Sequence, residues 1–138
     1  MDIQYGRENE GPIEAPGDAP AEARGRAREV LAGFTARTGL TLIPTMVSDV
    51  LLVVSELVTN AMLHAGGVTG FHCRVEDDVA RVIVQDASTA TPTLVARPAG
   101  TFLPGGYGWP TVQRLARAVT VEVLPGKGKR IIADVALA

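Results

Sequence analysis

The chain has 138 residues, with 13 Lys and Arg against 15 Asp and Glu, a formal net charge of −2 and 46% hydrophobic residues. That length suits one domain burying about two thirds of the surface its unfolded chain exposes, and neither charge sign gathers into a block, so no nucleic-acid footprint and no acidic tail is indicated. The single cysteine, Cys73, excludes an internal disulfide framework and a thiolate metal cluster, and with only His64 and His72 beside it a dedicated zinc site is not expected.

The N-terminus shows no basic start followed by an apolar run, and polar residues interrupt every apolar stretch before it reaches membrane-spanning length. A soluble cytoplasmic protein with no membrane contact is expected. Residues 1–20 combine Gly11, Pro12, Pro16, Gly17 and Pro20 with acidic and small residues, a composition that buries little and predicts a flexible arm. Ile3 and Tyr5 alternate with polar residues and leave room for a short edge strand. Residues 21–138 then form a single domain. From 21 to about 37 Ala, Arg and Glu dominate, and Val30, Leu31 and Phe34 make an apolar stripe, predicting an amphipathic helix that ends near Gly39. Its arginine-rich outer face reads as solvated.

The next stretch, 49–65, carries Glu56, Asn60 and His64 at successive four-residue steps. On a helix each such step advances about 6 Å and turns about 40°, so the three form one slowly drifting polar line. Val50, Val54, Leu57 and Ala61 occupy one face, Leu51, Val58 and Met62 a second sector, and Leu52 and Leu63 the far side of the line. A helix apolar nearly all round is expected to be sandwiched inside a domain. There a carboxylate and a carboxamide need a ligand or a buried polar partner. Any one of the three alone would be an ordinary interior residue bonded to backbone or water; three in line suggest a site.

Gly66 and Gly67 stop this helix. Residues 68–75 and 79–84, rich in β-branched residues around Glu76-Asp77-Asp78, predict a hairpin whose second strand delivers Gln85 and Asp86 at its end. The run from 87 to about 106 holds Pro92, Pro98 and Pro104 without periodicity, as a functional lid would. Gly105, Gly106, Tyr107 and Gly108 close it. A helix over 109–118 follows, then a last hairpin of 119–124 and 131–136 around 125–129. The order predicts an α+β, two-layer sandwich: a mixed, mainly antiparallel sheet covered on one face by about three helices.

These parts suit a nucleotide pocket between sheet and helices. Asp86 can accept a hydrogen bond from the exocyclic amine of adenine, and glycines at a helix N-terminus let backbone N–H groups approach phosphates. Asn60 offers an oxygen to Mg²⁺, and Glu56, one turn earlier, is placed to activate a hydroxyl or water. Other nucleotide and hydrolase motifs are missing: there is no G-x-x-x-x-G-K-[ST] loop and no G-x-S-x-G elbow.

At these residues the chain resembles the gyrase/histidine-kinase superfamily of ATP-binding domains, the Bergerat fold, and within it the anti-sigma-factor serine kinases. The likeness runs from about Ala21 onward. Ser55-Glu56-Leu57-Val58-Thr59-Asn60-Ala61 with His64-Ala65 looks like that group's N-box, Val84-Gln85-Asp86 like the strand end before its first glycine box, and Gly106-Tyr107-Gly108 into Trp109 like its second. The resemblance implies ATP and Mg²⁺ as cofactors, Glu56 as general base, Asn60 as magnesium ligand, Asp86 as adenine contact, and Gly106 and Gly108 at the phosphates. Gly105 and Tyr107 belong to the same turn, and His64 fits both a place near the phosphates and a structural helix end. The resemblance also implies a cytoplasmic bacterial serine/threonine kinase that phosphorylates an anti-sigma-factor antagonist, sequesters a sigma factor in transcription regulation, and leaves room for a homodimer. Asp86 is followed by Ala87-Ser88-Thr89-Ala90 rather than two glycines, Trp109 stands where a leucine is usual, and Lys129 stands after Gly128 where that group often has threonine. The alternative reading is therefore a non-catalytic nucleotide-binding or protein-interaction module with a degenerate ATP site.

Overall fold

A computed structural model of the chain describes residues 19–90 and 108–137. The elements run α1 (Ala19–Thr38), α2 (Pro44–Ala65), β1 (Gly70–Glu76), β2 (Val79–Asp86), α3 (Gly108–Leu115), β3 (Ala118–Leu124) and β4 (Gly128–Ala136). The expected N-terminal arm, the edge strand at Ile3 and Tyr5, and most of the expected lid lie outside the described residues.

Helix α1 buries Ala19, Ala23, Ala27 and Leu31 at four-residue steps. Alanine at that spacing lets two helix backbones come close, and α1 packs on α2 and β1. The expected stripe of Val30, Leu31 and Phe34 does reach the core, but Val30 and Phe34 only at its margin. Its arginines are not all solvated, because Arg24 donates to Ser55 Oγ on α2 at 2.9 Å.

Helix α2 starts at Pro44, where a missing N–H leaves no helical bond unmade. It ends at Gly66, whose φ of 75° is left-handed, and Gly67 N–H donates back to the Ala61 carbonyl at 2.9 Å. Val50, Val53, Val54, Leu57, Val58 and Ala61 are buried. The expectation of burial all round is corrected: Leu52 and Leu63 are 41% and 55% exposed, so α2 has one core face and one open face. By length and composition α2 is apolar enough to cross a membrane. A third of that apolar window (33%) is buried inside the domain, where α2 packs against α1, α3, β2 and β4.

The sheet order is β1-β2-β4-β3, with every described pair antiparallel. The mixed component expected from the sequence is thus absent among the described strands. Strands β1 and β2 turn through Asp77 and Asp78, Asp77 taking a φ of 52° that aspartate tolerates better than most residues. Side chains alternate across each strand: Phe71, Cys73, Val75, Val82, Val84, Ile131, Ala133 and Val135 point into the core under the helices. The opposite face carries ion pairs, including Arg81 with Asp134 at 2.8 Å and Arg130 with Glu122 at 2.6 Å. Strand β4 begins three residues earlier than expected from the sequence. The turn is confined to 125–127, with Lys127 N–H donating to Leu124 carbonyl at 2.8 Å, and Gly128 and Lys129 are already paired with β3.

Candidate functional site

Two places in the fold, called here its two ends, hold the residues singled out by the sequence. At the first, α3 packs on α2 through buried Val112. Gly108 opens α3 directly against Glu56: a Cβ built there would lie 2.5 Å from Glu56 Oε2 and 3.5 Å from its Cδ. Only glycine lets the start of α3 come this close to the carboxylate. Glu56 and Asn60 are both half-buried, one turn apart on the same side of α2. His64 is exposed in the last turn of the helix. Glycines 105 and 106 and Tyr107 lie outside the described residues.

At the second end, Asp86 closes β2 as the next inward position after Ala80, Val82 and Val84. Lys129 precedes Ile131, Ala133 and Val135 on the inward row of β4, and the two residues are direct cross-strand partners. Lys129 Nζ stands 2.9 Å from each carboxylate oxygen of Asp86. Ser88 N–H donates to Asp86 Oδ1 at 2.9 Å, while Ser88 Oγ accepts from Ala90 N–H at 3.1 Å. Asp86 and Lys129 are only 2% and 5% exposed, the two buried charged residues among those described. Gly128, with a φ of 87°, makes the approach feasible: a Cβ there would overlap the Asp86 carbonyl oxygen and lie 2.7 Å from Ala87 Cα.

The model of the histidine kinase-like ATPase domain matches residues 18–133. The chain belongs to that family. A search of curated proteins found no match. Among solved structures, the chain is similar to the histidine kinase domain of the Erythrobacter litoralis EL346 blue-light activated histidine kinase, at 21% identity over 99% of this chain and 72% of that one, with a TM-score of 0.49.

Membership of the histidine kinase-like ATPases implies ATP binding, and the two ends fit ATP unequally. The α2/α3 end sets a carboxylate, a carboxamide and a helix N-terminus together, a donor set suited to phosphate and a hard cation. No group of three or more His, Cys, Asp or Glu that could hold a metal gathers among the described residues, so a cation would depend on phosphate oxygens and water for most of its shell. At the β2/β4 end both oxygens of Asp86 already accept from within the protein, which leaves that carboxylate about one acceptor position for a base. Sequence reasoning noted Lys129 only as a departure after Gly128 and Ser88 only within the run read as a lid, and foresaw neither the contact of these two with Asp86 nor that of Arg24 with Ser55. For Lys129 the signal was available: counting inward positions back from Ile131 reaches it, once the strand is allowed to begin at Gly128.

Proposed function

We propose that this histidine kinase-like ATPase is an ATP-binding regulator of the anti-sigma-factor kinase type, transferring the γ-phosphoryl group of Mg²⁺·ATP to a serine of an antagonist protein. The observation that supports it most is Gly108 against Glu56, which joins the polar line of α2 to the start of α3. In this reading Asn60 holds the cation through its amide oxygen, and the N-terminus of α3 faces the phosphates, with Gly105, Gly106 and Tyr107 leading into it. Glu56 takes the proton from the attacking serine hydroxyl. Magnesium supplies charge neutralisation for the transferring group. Asp86 reads the base, and His64, exposed one turn beyond Asn60, lies at the mouth of the site.

The test is phosphoryl transfer from labelled ATP to a cognate antagonist. Glu56→Gln keeps the shape and removes the base, and transfer should fall by about 10²- to 10⁴-fold while ATP binding and the melting temperature stay near native. Transfer at the native rate by the variant would sink the assignment of Glu56.

A second reading, a non-catalytic module acting through protein contacts alone, is favoured by one observation, the occupied carboxylate of Asp86. Calorimetric titration with ATP and magnesium separates the two. Heat of binding supports the first, and silence at millimolar ATP supports the second. Sigma-factor sequestration, a homodimer and a cytoplasmic location belong to the first reading, and pull-down of the antagonist and sigma factor tests the partners directly.

A further inference from the structure

The ion pair between Asp86 and Lys129 has no part in the proposed transfer, yet it occupies the atom that would read the base. Removing two charges from water carries a large desolvation penalty. Such a pair persists inside a domain only when geometry and further hydrogen bonds compensate. Here they do: Lys129 Nζ reaches both Asp86 oxygens at 2.9 Å, its third contact is the Ser88 carbonyl at 3.5 Å, and Ser88 N–H adds a third link to the carboxylate. A carboxylate offers about four acceptor positions, and three are taken. Gly128 is what lets the β4 backbone approach the Asp86–Ala87 backbone here, and it sits immediately before Lys129. The pair is therefore a built feature of the β2/β4 register and not a chance surface contact.

We propose that Lys129 is a specificity-determining residue of the nucleotide site: its ammonium holds the Asp86 carboxylate, lowers affinity for adenine nucleotides and flattens the preference for adenine over 6-oxopurines. The inference rests on the reading of Asp86 as the base contact. A free carboxylate accepts a hydrogen bond from the adenine amine and repels the oxygen that guanine or hypoxanthine carries at the same position. With an ammonium on the carboxylate, the adenine amine must displace a charge-assisted bond or settle for the one acceptor position left on a neutralised carboxylate, whereas a purine oxygen finds a donor beside it. Adenine loses most of its advantage. The phosphate end, on α2 and α3, is untouched by the substitution and serves as the internal control.

The experiment is titration of the full chain with ATP and GTP in the presence of magnesium, comparing native protein with Lys129→Thr, which keeps a hydroxyl donor near Asp86. Folding is checked by thermal melting and by Cys73, a buried thiol pushed up to about 12 by burial that resists alkylation while the domain is folded. ATP should bind the variant about tenfold tighter or more, the range of a hydrogen bond to a charged group, while GTP changes by less than about threefold. If Lys129→Thr does not fold, Lys129→Gln keeps most of the length and a neutral donor and should shift the ATP-to-GTP ratio in the same direction. Unchanged ATP affinity in a folded variant overturns the inference while leaving the nucleotide reading intact. Equal gains for both nucleotides also overturn it, since the effect would not lie at the base. Absence of binding by native and variant alike removes the nucleotide reading and this inference with it.

Discussion

The α2/α3 end and the β2/β4 end both bring a glycine against an acidic residue, and the two glycines tolerate change very differently. At Gly108 the crowding atoms belong to the Glu56 side chain. At Gly128 they belong to the Asp86 and Ala87 backbone. A side chain can rotate away, whereas a strand held by ladder hydrogen bonds on both sides cannot move without disturbing the sheet. The first glycine therefore serves the geometry of a site, and the second serves the fold as well as the site.

The largest effect that would test this contrast is Gly128→Ala. The new methyl would meet backbone, and alanine would have to hold a φ of 87°, so a loss of at least about 3 kcal/mol is expected, read as a lower denaturant midpoint or failure to fold. Gly108→Ala should cost less, about 1–3 kcal/mol, because Glu56 can swing aside. Its main expense is functional: the variant should stay folded and lose phosphoryl transfer nearly as Glu56→Gln does. A Gly108→Ala protein with native transfer would show that the closeness of α3 to Glu56 is packing alone. Smallest is the contact remote from both ends. The Arg117 guanidinium, hydrogen-bonded to Asp78 at 3.1 Å, holds the Asp78 carboxyl below its ordinary value of 3.8. A lowered folded-state value means that this contribution is fully present above the ordinary value and is lost as pH falls through the folded one. Asp78→Asn should slightly flatten the acid limb of the stability profile, measured by melting temperature between neutral pH and pH about 3, and leave nucleotide affinity unchanged. A change in ATP affinity would mean that the hairpin tip communicates with the site.

Much of this arrangement is legible along the chain because it depends on local periodicity. The 3.6-residue repeat of α2, its proline start and glycine stop, and the alternation of β1 and β2 are set by short-range sterics and hydrogen bonding, and they put Glu56 and Asn60 on one side of a helix and Asp86 at an inward strand end. The open face of α2, marked by exposed Leu52 and Leu63, was not legible, since apolar residues surround the helix and only the number of packing partners decides which are covered. Nor was the alanine seam of α1, because alanine contributes little to a hydrophobic pattern yet governs how closely helices approach.

Sequence by itself determined the element order, the α+β class and the polar line on α2. It also supplied both members of the buried pair, separated by 43 positions. Only the tertiary structure decided that they meet. Strand register is a long-range property, set by the placement of β4 between β2 and β3 and by a turn that ends before Gly128, and a shift of one residue would have sent Lys129 to the solvent face.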